Sequence, residues 1–408
     1  MIASLYVHIP FCEKKCDYCD FFSVPIARFS ESEKTNILRD YTDSVLNEIA
    51  FYVKKYKITE WKTIYAGGGT PSKLSPELLE KLIKGAIDSL QNDYSEKKIC
   101  QEITVEINPS DVTSDLIFSL KKAKVNRVSL GIQSLSDKAI ESVHRNCRFE
   151  NIMRALEIIQ NSWNGKLSVD FIAGLPNQTY KSFETQFSVL DKYPKIDHVS
   201  LYSLCVEEKT PLYGAIQNGI IKYNSQKTDK MWISGRNILE KKGFFQYEVS
   251  NFAKVGFESQ HNLAYWNLEN YIGCGAGAVG TIYGNRENPQ GLRLTNTFSI
   301  EKYIDFWRNK KTEIAENEIP REIEILDSAT QSFEYLMTGF RKLSGVSSAD
   351  YKERFASDIE NRIGVFGGVF SEWKKNGLAC EKKCGGDVKY FLNKRGIILL
   401  NRFLESLL

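Results

Sequence analysis

The chain has 408 residues, 42% of them hydrophobic and 26% charged, with a net charge of +3. That length exceeds one ordinary core and predicts two domains, and the near-balanced charge argues against a polyanion partner. No run of eighteen apolar residues predicts a membrane span, residues 1–10 lack the parts of a secretion signal, and nine cysteines without an even framework predict a reducing cytoplasm.

The first predicted element is the apolar run Ser4 to Ile9, a β-strand. It leads at once into Cys12, Cys16 and Cys19, spaced C-x3-C-x2-C. Three thiolates on one short loop can hold three irons of a cubane [4Fe–4S] cluster, which leaves the fourth iron without a local cysteine. A zinc knuckle and a disulfide loop are the alternatives. Zinc usually takes four ligands in two close pairs, and no C-x2-C partner lies nearby, although His8 is close.

Further β-branched runs start near Thr63, Ile103, Arg127, Leu167 and His198. Helical spacing appears between them at 39–56, 78–90, 116–123, 139–143, 152–159 and 183–190. Six alternations predict parallel βα units, with functional groups at the C-terminal strand ends. Those ends carry the cysteine loop, Gly67-Gly68-Gly69-Thr70, Glu106, Gln133, Asp170 and Tyr202. Three adjacent glycines let a backbone approach a ligand closely and expose its amides.

The turn-rich segment 285–291 predicts a break between domains 1–290 and 291–408. The second domain reads as mostly helical, with helices near 300–307, 328–343, 349–355, 370–376 and 396–407 and two short strands, a winged-helix-like pattern. It has no clear recognition helix, so it is expected to cover the open side of the barrel rather than to bind nucleic acid. Cys380 and Cys384 repeat the C-x3-C spacing without a third cysteine in reach, and read as surface thiols.

The cysteine spacing resembles that of the radical S-adenosylmethionine (SAM) enzymes, and six βα units resemble their partial (β/α)6 barrel. The motifs at Glu106-Ile-Asn108-Pro109, Arg127 to Gln133, Asp170 to Pro176, His198 to Tyr202, Tyr247 to Asn251 and Gly273 to Gly277 resemble the oxygen-independent coproporphyrinogen III oxidase family. The resemblance implies that Cys12, Cys16 and Cys19 ligate the cluster, and that Tyr6, Gly68 and Glu106 contact SAM on its free iron. It places Tyr18, Gly69, Thr70, Gln133, Arg145 and Asp170 where the decarboxylating enzymes bind a second SAM. His144-Arg145-Asn146-Cys147 departs from the family's Gly-Arg-x-His, so Arg145 is kept in an altered frame.

Within that family three features resemble the HemW-type haem chaperone branch. Phe21 stands where decarboxylating members carry a further cysteine. Five residues precede Tyr6 where those members have a long extension. His261-Asn262-Leu-Ala-Tyr265-Trp266 matches the HNxxYW motif. Such chaperones bind haem and deliver it to apo-haemoproteins. The branch implies no catalytic residue, His261 as a haem contact, and an electron donor such as flavodoxin or ferredoxin. From the residues alone His261 reads first as a buried histidine with a structural hydrogen bond, and it is the resemblance that turns the reading to haem. The alternatives are a decarboxylating oxidase, a radical methyltransferase using two SAM molecules, and a plain iron–sulfur binding module.

Overall fold

The computed structural model describes residues 1–90, 100–308 and 314–408. Its main body is a mixed sheet built on six parallel strands. These are β1 (Ile2–Ile9), β2 (Glu60–Gly68), β3 (Glu102–Ile107), β4 (Arg127–Gln133), β5 (Lys166–Ala173) and β6 (Ile196–Ser203), hydrogen-bonded in that order. Near-continuous burial along them, as in Leu5, Val7 and Ile9 or Val128, Leu130 and Ile132, is what a parallel sheet covered by its crossover helices requires. Helices Glu31–Tyr56, Pro76–Asp88, Ser114–Lys122 and Phe149–Ser162 supply the first crossovers. Their starts are legible as caps. Ser30 accepts from the Glu33 amide in a capping box, and Ser75 and Thr113 accept from Leu78 and Leu116. The fold class is the expected α/β partial barrel.

Short strands extend both edges. On one side β7 (Phe245–Gln246) and β8 (Asn251–Ala253) add antiparallel to β6. On the other, β9 (Tyr271–Cys274) pairs parallel with β1, and β10 (Val279–Ile282), β11 (Gly291–Asn296) and β12 (Arg321–Leu326) continue antiparallel. The turn-rich segment expected to divide two domains therefore links β10 to β11 inside one sheet. The second hydrophobic cluster gathers Tyr335 onward, including Phe340, Phe370, Trp373 and Phe403, with Leu268 reaching it from the barrel side. It carries helices Ser328–Gly339, Ser348–Phe355 and Val369–Lys375 and a three-stranded antiparallel sheet of β13 (Val346–Ser347), β14 (Ala379–Cys384) and β15 (Asp387–Leu392). Cys380 and Cys384 lie on β14, four residues apart on a strand and so about 13 Å apart along it. Among the described residues no helix is long and apolar enough to cross a membrane.

Candidate functional site

The C-terminal ends of the six parallel strands open into one cavity of about 520 Å³. Cys12, Cys16 and Cys19 line it with Tyr18, Gly68, Gly69, Thr70, Glu106, Gln133, Arg145 and Asp170. Residues spread over more than 150 positions meet there because each parallel strand delivers its last residues to the same face.

The cysteine loop leaves β1 and folds back on itself, with Phe11–Cys12 pairing parallel to Val24–Pro25. Its middle is pinned by Asp17, whose amide donates to the Val143 carbonyl at 3.1 Å and whose carbonyl accepts from Leu212 at 3.0 Å. The glycine turn packs against this loop. Gly69 donates to the Ile9 carbonyl at 2.9 Å, and a Cβ on Gly69 would lie 2.8 Å from the Phe11 carbonyl oxygen. Gly68 has φ +108° and faces the His8 ring, where a Cβ would lie at 2.4 Å. The glycines thus serve two close approaches: Gly68 against the His8 ring and Gly69 backbone against backbone behind the cysteines.

Glu106 stands opposite. One carboxylate oxygen accepts from Tyr65 OH at 2.6 Å and the other from the Gly68 amide at 3.1 Å. Burial, with the charge of Asp170 adding to it, pushes its pKa up to about 7. Burial likewise pushes Asp170 up to about 6, against donation from Ser129 at 3.2 Å. Arg145 donates to the Gly131 carbonyl at 2.7 Å and reaches the Cys16 sulfur at 3.8 Å. Its Nε is buried without a partner, so the guanidinium keeps an unused donor at the cavity wall. Gln133 holds φ +66°, unusual for a residue with a side chain, at the end of β4. Burial raises the Cys12 and Cys19 thiols above their ordinary value. Among the described residues no three metal-binding side chains converge on one ion-sized point. Cys12, Cys16 and Cys19 all line the mouth, and three thiols are the donor set that three irons of a cubane cluster take.

Two expected contacts lie elsewhere. Tyr6 is behind the cavity wall, and its hydroxyl meets His8 Nδ1 at 2.9 Å. His8 Nε2 donates to the Phe22 carbonyl at 2.9 Å, so this histidine ties β1 to the far end of the cysteine loop instead of facing the thiols. His261 is 1% exposed and does not line the cavity. The Thr63 hydroxyl donates to Ser4, so its oxygen accepts from His261 Nδ1 at 2.7 Å, and His261 Nε2 is left to accept from Tyr265 OH at 2.8 Å. Its ring stacks on Tyr65 at 4.8 Å, and burial lowers its pKa to about 3. As folded, His261 offers no nitrogen to an iron. It braces Tyr65, which holds Glu106. Sequence reading missed Tyr65 because its role appears only once β3 lies beside β2; the β-strand pattern of Ile64, Tyr65 and Ala66 marks it as mere packing.

A parallel part-barrel whose mouth carries three cysteines of one loop and a glycine turn defines a radical SAM protein. Residues 6–187 match the family model of the Radical SAM superfamily, which implies a [4Fe–4S] cluster and S-adenosylmethionine. The chain is 34% identical over 377 residues to "Heme chaperone HemW" of Bacillus subtilis (strain 168), covering 92% of each. It is 31% identical to "Heme chaperone HemW" of Escherichia coli (strain K12), covering 85% of each chain. It is also 33% identical to "Radical S-adenosyl methionine domain-containing protein 1, mitochondrial" of Mus musculus, over 71% of this chain and 62% of that one. The chain belongs to the HemW family. Its fold matches the solved coproporphyrinogen III oxidase HemN from Escherichia coli with a TM-score of 0.76 at 18% identity, over 99% of this chain and 89% of that one.

Proposed function

We propose that this chain is a cytoplasmic haem chaperone, which binds haem and passes it to apo-haemoproteins, with a [4Fe–4S] cluster and SAM at the barrel mouth. The observation that carries the reading is the match to "Heme chaperone HemW" over 92% of both chains.

When bound, the cluster would supply one open iron for the amino-acid end of SAM and one electron at low potential. Cys12, Cys16 and Cys19 would hold it. The Gly68 and Gly69 backbone and Glu106 would receive SAM, with Tyr6 buttressing them from behind. Tyr18, Thr70, Gln133, Arg145 and Asp170 line the rest of the cavity and would orient ribose, adenine and carboxylate groups. The unused donor of Arg145 and the raised Glu106 and Asp170 suit a polar ligand that completes their partners on arrival. A small electron carrier such as flavodoxin or ferredoxin would serve the cluster. The barrel, residues 1–290, would carry the cofactors, and 291–408 would complete and cover it.

The test pairs two assays on anaerobically reconstituted protein. Haem titration should give a saturable Soret band, and transfer to an apo-haemoprotein should follow. Incubation with coproporphyrinogen III, SAM and a reductant should yield no vinyl product. Robust decarboxylation, or no haem uptake, would overturn the reading.

A further inference from the structure

If this chain carries haem, one side chain must meet the iron or leave it to water. The sequence contains four histidines. His8 and His261 are buried with both ring nitrogens hydrogen-bonded, as described above. His198 is also buried, with Nδ1 on Ser168 at 2.7 Å and Nε2 on Tyr247 OH at 2.9 Å. Freeing any of these nitrogens would orphan buried hydroxyl or carbonyl groups.

His144 differs on every count. Its side chain is 62% exposed, beside the cysteine loop. Nδ1 donates to the Asp17 carboxylate at 2.6 Å. Nε2 has no protein partner among the described residues and is the ring nitrogen left open to a metal. An imidazole whose inner nitrogen is held by a carboxylate is the arrangement that orients metal-ligating histidines and raises their basicity. His144 sits at φ +51°, a conformation that favours glycine. It closes helix Asp137–Glu141, with the His144 amide on the Glu141 carbonyl at 3.1 Å and the Arg145 amide on the Ile140 carbonyl at 3.2 Å, and this turn holds the ring beside the cysteine loop. The turn also exposes Arg148 and Phe149, a cation and an apolar ring of the kinds that meet a porphyrin carboxylate and a porphyrin face.

We propose that His144 Nε2 is the axial ligand through which this chain takes the haem iron, with Asp17 fixing its tautomer. The bond is a lone-pair donation to iron that displaces water; no electron is transferred. The proposal rests on the haem-carrying reading and deepens it. Because His144 does not line the SAM cavity, haem would sit on the outer flank of the cysteine loop and leave that cavity open.

The variant is His144→Gly, which removes the ring and relieves the backbone. Its thermal midpoint should equal or exceed that of the wild type, so loss of fold does not confound the result. Titrated with ferric haem, the wild type should show a histidine-ligated spectrum. His144→Gly should lose that signature and bind roughly tenfold more weakly or worse, the scale on which even an outer partner of a metal ligand acts. Free imidazole should restore the signature. Asp17→Asn should lower the iron–histidine stretching frequency of the ferrous form. An unchanged spectrum and affinity in His144→Gly, or a thiolate signature in the wild type, would overturn the assignment while leaving haem carriage standing. A wild type that takes up no haem would instead sink the chaperone reading, and this one with it.

Discussion

Gly68→Ala tests whether the glycine turn is required by the cysteine loop behind it. At φ +108° an alanine is strained by about 1–3 kcal/mol wherever it points. Here its Cβ would also lie 2.4 Å from the His8 ring. That ring cannot give way freely, since it is held by Tyr6 on one side and the Phe22 carbonyl on the other. Overpacking of this kind adds about 1–3 kcal/mol. The sum is roughly 2–6 kcal/mol, and any relief by shifting the backbone would pull the Gly68 amide from Glu106. Two glycines calibrate the measurement. Gly385 has φ +61° with nothing within 4 Å of its Cβ, so Gly385→Ala should cost about 1–2 kcal/mol from strain alone. Gly214 lies in helix Pro211–Gln217 with equally open surroundings, so Gly214→Ala should be neutral or stabilising by about 0.5–1 kcal/mol. Urea unfolding of the three variants under one reducing condition gives the comparison. If Gly68→Ala loses no more than Gly385→Ala, the steric account of the turn is wrong.

Three further outcomes follow from particular side chains. Glu48 is fully buried and accepts from Tyr303, from Gly275 at 2.8 Å and from Asn296 at 2.7 Å, yet burial raises its pKa from 4.5 to about 7. The folded chain binds this proton more tightly than the unfolded one, so the stability it contributes is present below pH 4.5 and lost as pH rises through 7. The loss amounts to ~3 kcal/mol. Glu48→Gln should flatten the slope of stability against pH across that window, and an unaltered slope would refute the assignment. His261→Ala removes a ring with two buried partners under Tyr65, and should cost about 3–5 kcal/mol by chemical denaturation; a change below 1 kcal/mol would contradict its bracing role. Cys16→Ser should abolish the charge-transfer absorbance of a reconstituted cluster, and a fully occupied cubane in that variant would remove Cys16 as a ligand.

Much of the site was legible because its chemistry is local. C-x3-C-x2-C sits on one loop, and the glycine turn needs no partner to be recognised. The strand ends at Glu106, Gln133 and Asp170 follow from the alternation of elements, since parallel strands deliver their last residues to one mouth. The edge strands β7 to β12 were not legible. They run two to six residues, too short for an alternation to show, and pairing with distant neighbours stabilises them. For the same reason the segment at 285–291 looked like a boundary, whereas β11 pairs back onto β10 and places it inside a sheet.

The four histidines mark where local reading stops. The sequence by itself determined the cysteine loop, the repeating βα units and the kinship with haem chaperones, because each is written in contiguous residues. It drew attention to His261 and passed over His144. Only the tertiary structure decided which imidazole is free: Thr63 lies 198 positions from His261, and Asp17 lies 127 positions from His144. A histidine's capacity to bind a metal depends on what occupies its two nitrogens, and those occupants are chosen by the fold.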